Sequence, residues 1–131
     1  MAQPLGCVTR YAHRVTPEEL LRRAYAAFNA RDVDTALALM HPEVDWPNAI
    51  DGGRVVGHDA VRAYWAGQFE TTDTRVEPVR IVQRGDGRFA VDVHQVVHDL
   101  DGEVLAEGDV VHVYELREGL VVRMDIASSP A

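Results

Sequence analysis

The hydrophobic period changes once along the chain, from helical spacing up to about Phe69 to strand alternation after about Arg75, and that order restricts the fold more than any other feature. Helices first and strands afterwards predict an α+β domain, with the helices gathered on one side of an antiparallel sheet. A length of 131 residues leaves room for one core. We expect a single domain over residues 16–127, an N-terminal extension over 1–15 and a short tail over 128–131.

Thr16-Pro17-Glu18-Glu19 is a helix start: Thr16 can cap, Pro17 suits the first turn, and Glu19 can reach back to close a capping box. Leu20, Leu21, Ala24, Ala27 and Phe28 then recur at helical spacing, and the segment Asn29 to Asp32 ends the helix. A short second helix is expected from Asp34 to Met40, stopped by His41-Pro42 because proline disfavours helix in the residue before it. Val44 to Asn48 reads as an edge strand, since Pro47 has no amide to donate, with Val44, Trp46 and Asn48 on one face. The third helix runs from Asp59 to Phe69, with Val61, Tyr64, Trp65, Gln68 and Phe69 at helical spacing.

Four strands follow: Arg75 to Arg84, Arg88 to His98, Val104 to Leu116 and Leu120 to Ala127. Gly85-Asp86-Gly87, Asp101-Gly102 and Glu118-Gly119 between them predict antiparallel hairpins. The length of the third predicts a bend or bulge near Gly108. Helices on the concave side of such a curved sheet make a cone that encloses one apolar pocket.

Composition removes several classes of function. The net charge is −8 and all 13 basic residues are arginines scattered along the chain, which excludes the concentrated basic face that phosphate binding demands. No apolar run approaches the roughly 20 residues of a membrane span, and Met1 to Val15 lacks the core of a secretory signal. Cys7 is the lone cysteine, so no internal disulfide or cysteine metal knuckle is available, and a cytoplasmic location fits. His94 and His98 are four residues apart on a strand, about 13 Å, too far to share a zinc ion about 2 Å from each nitrogen. His94 and Asp92 are expected on the outer sheet face. The glycines sit in turns rather than in a phosphate loop or nucleophile elbow, so no cofactor and no metal is expected.

Four segments carry a resemblance: Ala26-Ala27-Phe28-Asn29-Ala30-Arg31-Asp32, Ala38-Leu39-Met40-His41-Pro42-Glu43-Val44, Gly57-His58-Asp59-Ala60-Val61, and Arg117-Glu118-Gly119-Leu120-Val121-Val122-Arg123-Met124. With them the chain resembles the SnoaL-like and ketosteroid-isomerase-like branch of the nuclear transport factor 2-like superfamily, over nearly its whole length. The resemblance implies the cone fold with its cystatin-like arrangement. It leaves the reaction open among isomerases, polyketide cyclases, dehydratases, epoxide hydrolases and binders without catalysis.

Steroid isomerases of this branch use a carboxylate base on the first strand and an oxyanion site made of a tyrosine and a protonated aspartate. Carried onto the first half of this sequence without gaps, the base falls on Asn48, the first-helix tyrosine on Ala24 and a supporting tyrosine on Trp65, while the aspartate of the third long strand falls on His112. An amide at Asn48 cannot remove a proton near neutral pH, so that route is not expected. Limonene-epoxide-hydrolase-like relatives place an acid on the inner face of the last strand. Here that face reads Val122, Met124 and Ile126, with Asp125 pointing away, and a one-residue register change would reverse the reading.

His112 is the catalytic candidate, on a face shared with Val110, Tyr114 and Leu116, where a histidine can act as acid or base near neutral pH. A core histidine bonded to Tyr114, Asn48 or Gln95 fits the same position. Trp46, Asn48, Tyr64, Trp65, Gln68, Gln95, Tyr114 and Met124 are the expected pocket lining. The expected ligand is a small apolar or polyketide-like molecule, bound with or without isomerisation or cyclisation; epoxide hydrolysis and a protein-interaction module are the remaining alternatives. Val111, Val113 and Val121 on the outer sheet face predict a homodimer through that face.

Overall fold

The computed structural model describes residues 15–127. Apart from Val15, the expected extension and tail, together with Cys7, lie outside the described residues.

Helix α1 (Pro17–Asn29) starts with the capping box. Glu19 N–H donates to Thr16 Oγ1 at 3.1 Å, and Thr16 N–H donates to Glu19 Oε1 at 3.3 Å. Asp32 caps α2 (Val33–Ala38) through the Thr35 amide. That helix ends two residues before the expected Met40, because Met40 opens strand β1 (Met40–Pro47). After β2 (Arg54–Val56) and α3 (His58–Phe69) come β3 (Asp73–Gln83), β4 (Phe89–His98), β5 (Val104–Arg117) and β6 (Leu120–Ala127). The turn between β5 and β6 has φ of 56° at Glu118 and 77° at Gly119, the positive pair a two-residue type I′ hairpin requires.

The six strands form one curved, unclosed sheet in the order β2-β1-β6-β5-β4-β3. β1 and β6 run parallel, and the other neighbours are antiparallel. β1 therefore lies inside the sheet, contrary to its expected edge position; the three-residue β2, missed in the sequence, is the edge. Two placements tolerate the prolines there: Pro47 is the last residue of the strand, and Pro42 lies in the stretch between Met40 and Asp45 where register against β6 slips.

Three further slips bend the sheet. Val79 is left without a partner between Pro78 and Arg80, Leu105 between Val104 and Ala106, and Val122 between Val121 and Arg123. The expected bend near Gly108 thus falls at Leu105, and Gly108 itself pairs regularly with Gln95. The Val122 bulge inverts the expected parity at the start of β6. Val121 is fully buried in the core, so it does not belong to the outer face where it was expected, while Val122 leaves the inner core cluster.

Helices α1 and α3 cover the inner face, and their apolar sides meet Val44, Trp46, Val91, Val93, Tyr114 and Met124 from the strands. Packing stops short of closing this layer, and the space left over is the cavity described below. Among the described residues, no helix is long and apolar enough to cross a membrane.

Candidate functional site

A cavity of about 240 Å³ lies between α1, α3 and the inner face of the sheet. Its size falls just below the roughly 300–1,000 Å³ of ordinary ligand pockets, so a small molecule fits and a long chain does not. Trp46, Tyr64, Trp65, Gln68, Gln95, His112, Tyr114 and Met124 line it, as do Tyr25, Phe28, Thr74 and Ile126. Among the described residues no formally charged side chain does. Aromatic rings form one wall: Trp46 meets Trp65 edge-on at 5.5 Å, Trp65 meets Phe28 at 5.5 Å, and Trp46 lies 6.4 Å from Tyr114.

Asn48 is not part of this lining. β1 ends at Pro47, one residue too early to carry Asn48 on the face of Val44 and Trp46. Its Oδ1 instead accepts from the amides of Ile50 at 3.1 Å and Asp51 at 2.9 Å, which fixes the turn into β2. Tyr64 supports the same turn, accepting from Ala49 N–H at 3.1 Å.

The polar centre of the cavity is a chain of three side chains. Tyr114 Oη donates to Tyr25 Oη at 2.8 Å, and Tyr25 Oη lies 2.7 Å from His112 Nδ1. Since the Tyr114 proton already occupies Tyr25, the arrangement that leaves no buried hydroxyl proton idle has Tyr25 donating to Nδ1. The neutral imidazole then carries its proton on Nε2. Burial pushes His112 down to about 4, so the ring is neutral at physiological pH. Burial first, and then the neighbouring Tyr114, hold Tyr25 well above the ordinary tyrosine range; burial does the same for Tyr114, and both hydroxyls keep their protons. Tyr25 also stacks on His112, with the planes 10° apart.

Nε2 of His112 has no hydrogen-bond partner among the described residues, yet Thr74 Oγ1 is the sole sealed side-chain polar atom without a partner. Nε2 is therefore open to whatever occupies the cavity. Tyr25 was not among the residues expected from sequence: the ungapped comparison put the tyrosine on Ala24, one position short. The signal was present, since Leu21, Tyr25 and Phe28 follow helical spacing.

Asp125 points to the outer face. Arg54 binds it at 2.9 Å and Asp45 at 2.6 Å, and Arg123 bridges the same two carboxylates at 2.9 and 3.2 Å. Arg123 above all holds the Asp125 carboxyl below its usual range. An Asp-Arg-Asp arrangement thus exists, but outside the cavity, where Ile126 takes the inward position. His94 is also outside, held between Asp109 at 2.9 Å and Glu107 at 2.8 Å, which raises its pKa. Among the described residues no three acidic, histidine or cysteine side chains gather as they would around a metal ion.

A helix-covered curved sheet enclosing an uncharged cavity is the architecture of the nuclear transport factor 2-like class. The chain belongs to the SnoaL-like domain family, whose pattern it matches over residues 21–124. No curated protein sequence matches it. Among solved structures it is similar to TerC co-crystallised with polyporic acid, at 30% identity over 87% of this chain and 92% of that one, with a TM-score of 0.75. An NTF2-like protein of unknown function from Burkholderia pseudomallei is 26% identical, over 86% and 90% of the two chains, with a TM-score of 0.75. RV0760c from Mycobacterium tuberculosis, in complex with estradiol-17beta-hemisuccinate, is 19% identical over 80% and 87%, with a TM-score of 0.69, and shares the fold.

Proposed function

We propose that the protein binds a small, uncharged, largely apolar molecule carrying a carbonyl or similar oxygen, and that His112 donates to that oxygen from Nε2. The observation that carries this reading is the occupied Nδ1: with Tyr25 on one side of the ring, the free side presents a fixed donor to a largely apolar cavity. A polyketide-like ring system fits the aromatic wall. The complexes of TerC and RV0760c with small molecules support ligand binding in this fold. The cavity left open among the described residues supports this reading over a pure interaction module, whose cone would be filled by its own side chains.

Titration of the protein with 9-fluorenone, a neutral aromatic ketone, followed by the fluorescence of Trp46 and Trp65, tests the reading. Saturable quenching is expected, and His112→Ala weakens binding about tenfold, the worth of one hydrogen bond. Absence of binding, or equal binding by the variant, sinks it.

Catalysis of isomerisation or cyclisation is the second reading, favoured by a histidine that is unprotonated at neutral pH. Against it, a ring whose conjugate acid has a pKa of about 4 is a weak base, and no carboxylate among the described residues lines the cavity. Under this reading His112→Ala abolishes turnover while binding survives, the opposite pattern. The proposal also includes a homodimer through the outer sheet face, which light scattering tests.

A further inference from the structure

The neighbours of His112 close most of the ways to its ring. On the sheet it stands directly opposite Val91 of β4 and Ile126 of β6. Along β5 its same-face neighbours are Val110 and Tyr114, and Tyr25 of α1 stacks on the ring. Val91, Tyr114 and Tyr25 are all buried, so those sides are shut. Val110 is half-buried and Ile126 is 46% exposed, although both line the cavity. Among the described residues, the way from solvent to the free nitrogen therefore passes these two side chains.

Spacing decides between them. Side chains directly opposite on antiparallel strands have Cβ atoms about 5 Å apart, whereas same-face neighbours along one strand are about 7 Å apart. Ile126 is thus nearer to the ring than Val110. It is also the last inward-facing residue of β6, following Met124. Of the large apolar side chains exposed among the described residues, Ile126 alone also lines the cavity. Its exposure comes from bordering the opening, since the outer face at this point belongs to Asp125 and its arginine partners.

We infer that Ile126 is a specificity-determining residue, the sill of the cavity mouth beside His112, which limits the bulk a ligand can carry on the carbon next to its carbonyl. This rests on the ligand-binding reading above and narrows it to flat ring ketones that are unbranched beside the oxygen. A carbonyl that accepts from His112 brings its adjacent carbons alongside the residue opposite, which is Ile126. A planar ring passes that side chain, and a carbon with methyl groups above and below the plane meets it. Isoleucine is branched at Cβ and stiff at χ1, so it does not swing aside freely.

The experiment compares 1-tetralone with 2,2-dimethyl-1-tetralone, two neutral ketones that differ only by two methyl groups beside the carbonyl. Apolar burial of those methyls by itself favours the dimethyl compound about tenfold. Wild-type protein is expected to reverse that order and bind 1-tetralone more tightly. Ile126→Ala restores the order set by apolar area, so the dimethyl ketone binds about tenfold more tightly there, and the conservative Ile126→Val keeps the wild-type order. The side chain is half in solvent, so shortening it leaves Tm close to wild type and the comparison is made on folded protein. A wild-type preference for the dimethyl ketone overturns the inference. So does an Ile126→Ala variant that keeps the wild-type order, with or without a loss of Tm. In both cases binding of 9-fluorenone by the wild-type protein leaves the ligand-binding reading standing. If wild-type protein binds none of the three ketones, that reading fails and the role of Ile126 with it.

Discussion

His112 is 7% exposed and neutral, which ties the chemistry of the cavity to the stability of the fold. In the unfolded chain a histidine has a pKa of about 6.5. In the folded protein burial brings His112 to about 4. As pH falls below 6.5 the unfolded chain takes up a proton that the folded one refuses, so stability drops between pH 6.5 and 4 and levels off below. The full effect is on the order of 3 kcal/mol. His94 acts in the other direction: its carboxylate partners raise its pKa, so its contribution is present below about 6.5 and is lost as pH rises through the raised value. Denaturant titrations across this range are expected to show the acid loss in wild-type protein and a flatter profile in His112→Gln; parallel profiles would remove His112 as the cause. Tyr25→Phe leaves both Tyr114 and Nδ1 of His112 without their partner, and a loss of about 1–3 kcal/mol is expected in the same assay. A loss near zero would mean that the chain does not hold the ring.

The elements show where local pattern suffices and where it does not. Helix α1 is legible because the Thr16 and Glu19 cap and the Leu21 to Phe28 stripe are both local signals. The hairpins are legible from their turn residues. The bulges at Val79, Leu105 and Val122 are not, because one inserted residue leaves the string of β-branched residues looking regular while it reverses every side chain beyond it. This is why Met124 and Ile126 were placed correctly on the inner face but Val121 and Val122 were exchanged. The parallel pairing of β1 with β6 joins residues some 80 positions apart and has no local signature at all. The same distance between partners explains why half of the polar centre was visible as His112 and Tyr114 on one strand, while Tyr25 arrived from a helix at the other end of the chain.

The junction of α1, α3 and β3 depends on Arg31, a residue with φ of 62°. Its guanidinium lies 4.4 Å from the Phe69 ring centroid and 5.3 Å from that of Phe28, pairs with Asp73, and donates to the backbone oxygens of Phe28 and Thr74. Cation–π contact at a partly exposed site contributes about 0.5–1 kcal/mol, and each hydrogen bond about as much again. Arg31→Ala is expected to lower stability by about 2 kcal/mol in denaturant titration, and Arg31→Lys to recover only part of it because lysine lacks the planar fork. Full recovery by lysine would reduce the role to bare charge.

At the scale of the whole molecule, the proposed homodimer places its interface on the outer face of the sheet. Five strand spacings by about eight residues of strand give roughly 25 Å by 25 Å, a footprint near the ~800 Å² per partner of a standard interface. Its apolar centre is Val111 and Val113 on β5, with Val122 beside them, and its flank is the Asp45, Arg54, Arg123 and Asp125 network. Val113 and Val122 are already 6% exposed in the single chain, so Val111, half-buried, carries the test with least harm to the fold. In a two-fold dimer this patch meets its own copy. Each copy brings a net charge of −8, so self-association is expected to strengthen as salt screens the repulsion. Light scattering at micromolar concentration is therefore expected to give twice the chain mass for wild-type protein, more completely at 0.5 M than at 0.05 M salt, and the monomer mass for Val111→Glu with an unchanged inner core. A wild-type monomer at both salt concentrations would leave the outer face as a solvated surface, and a dimer that survives Val111→Glu would move the interface elsewhere.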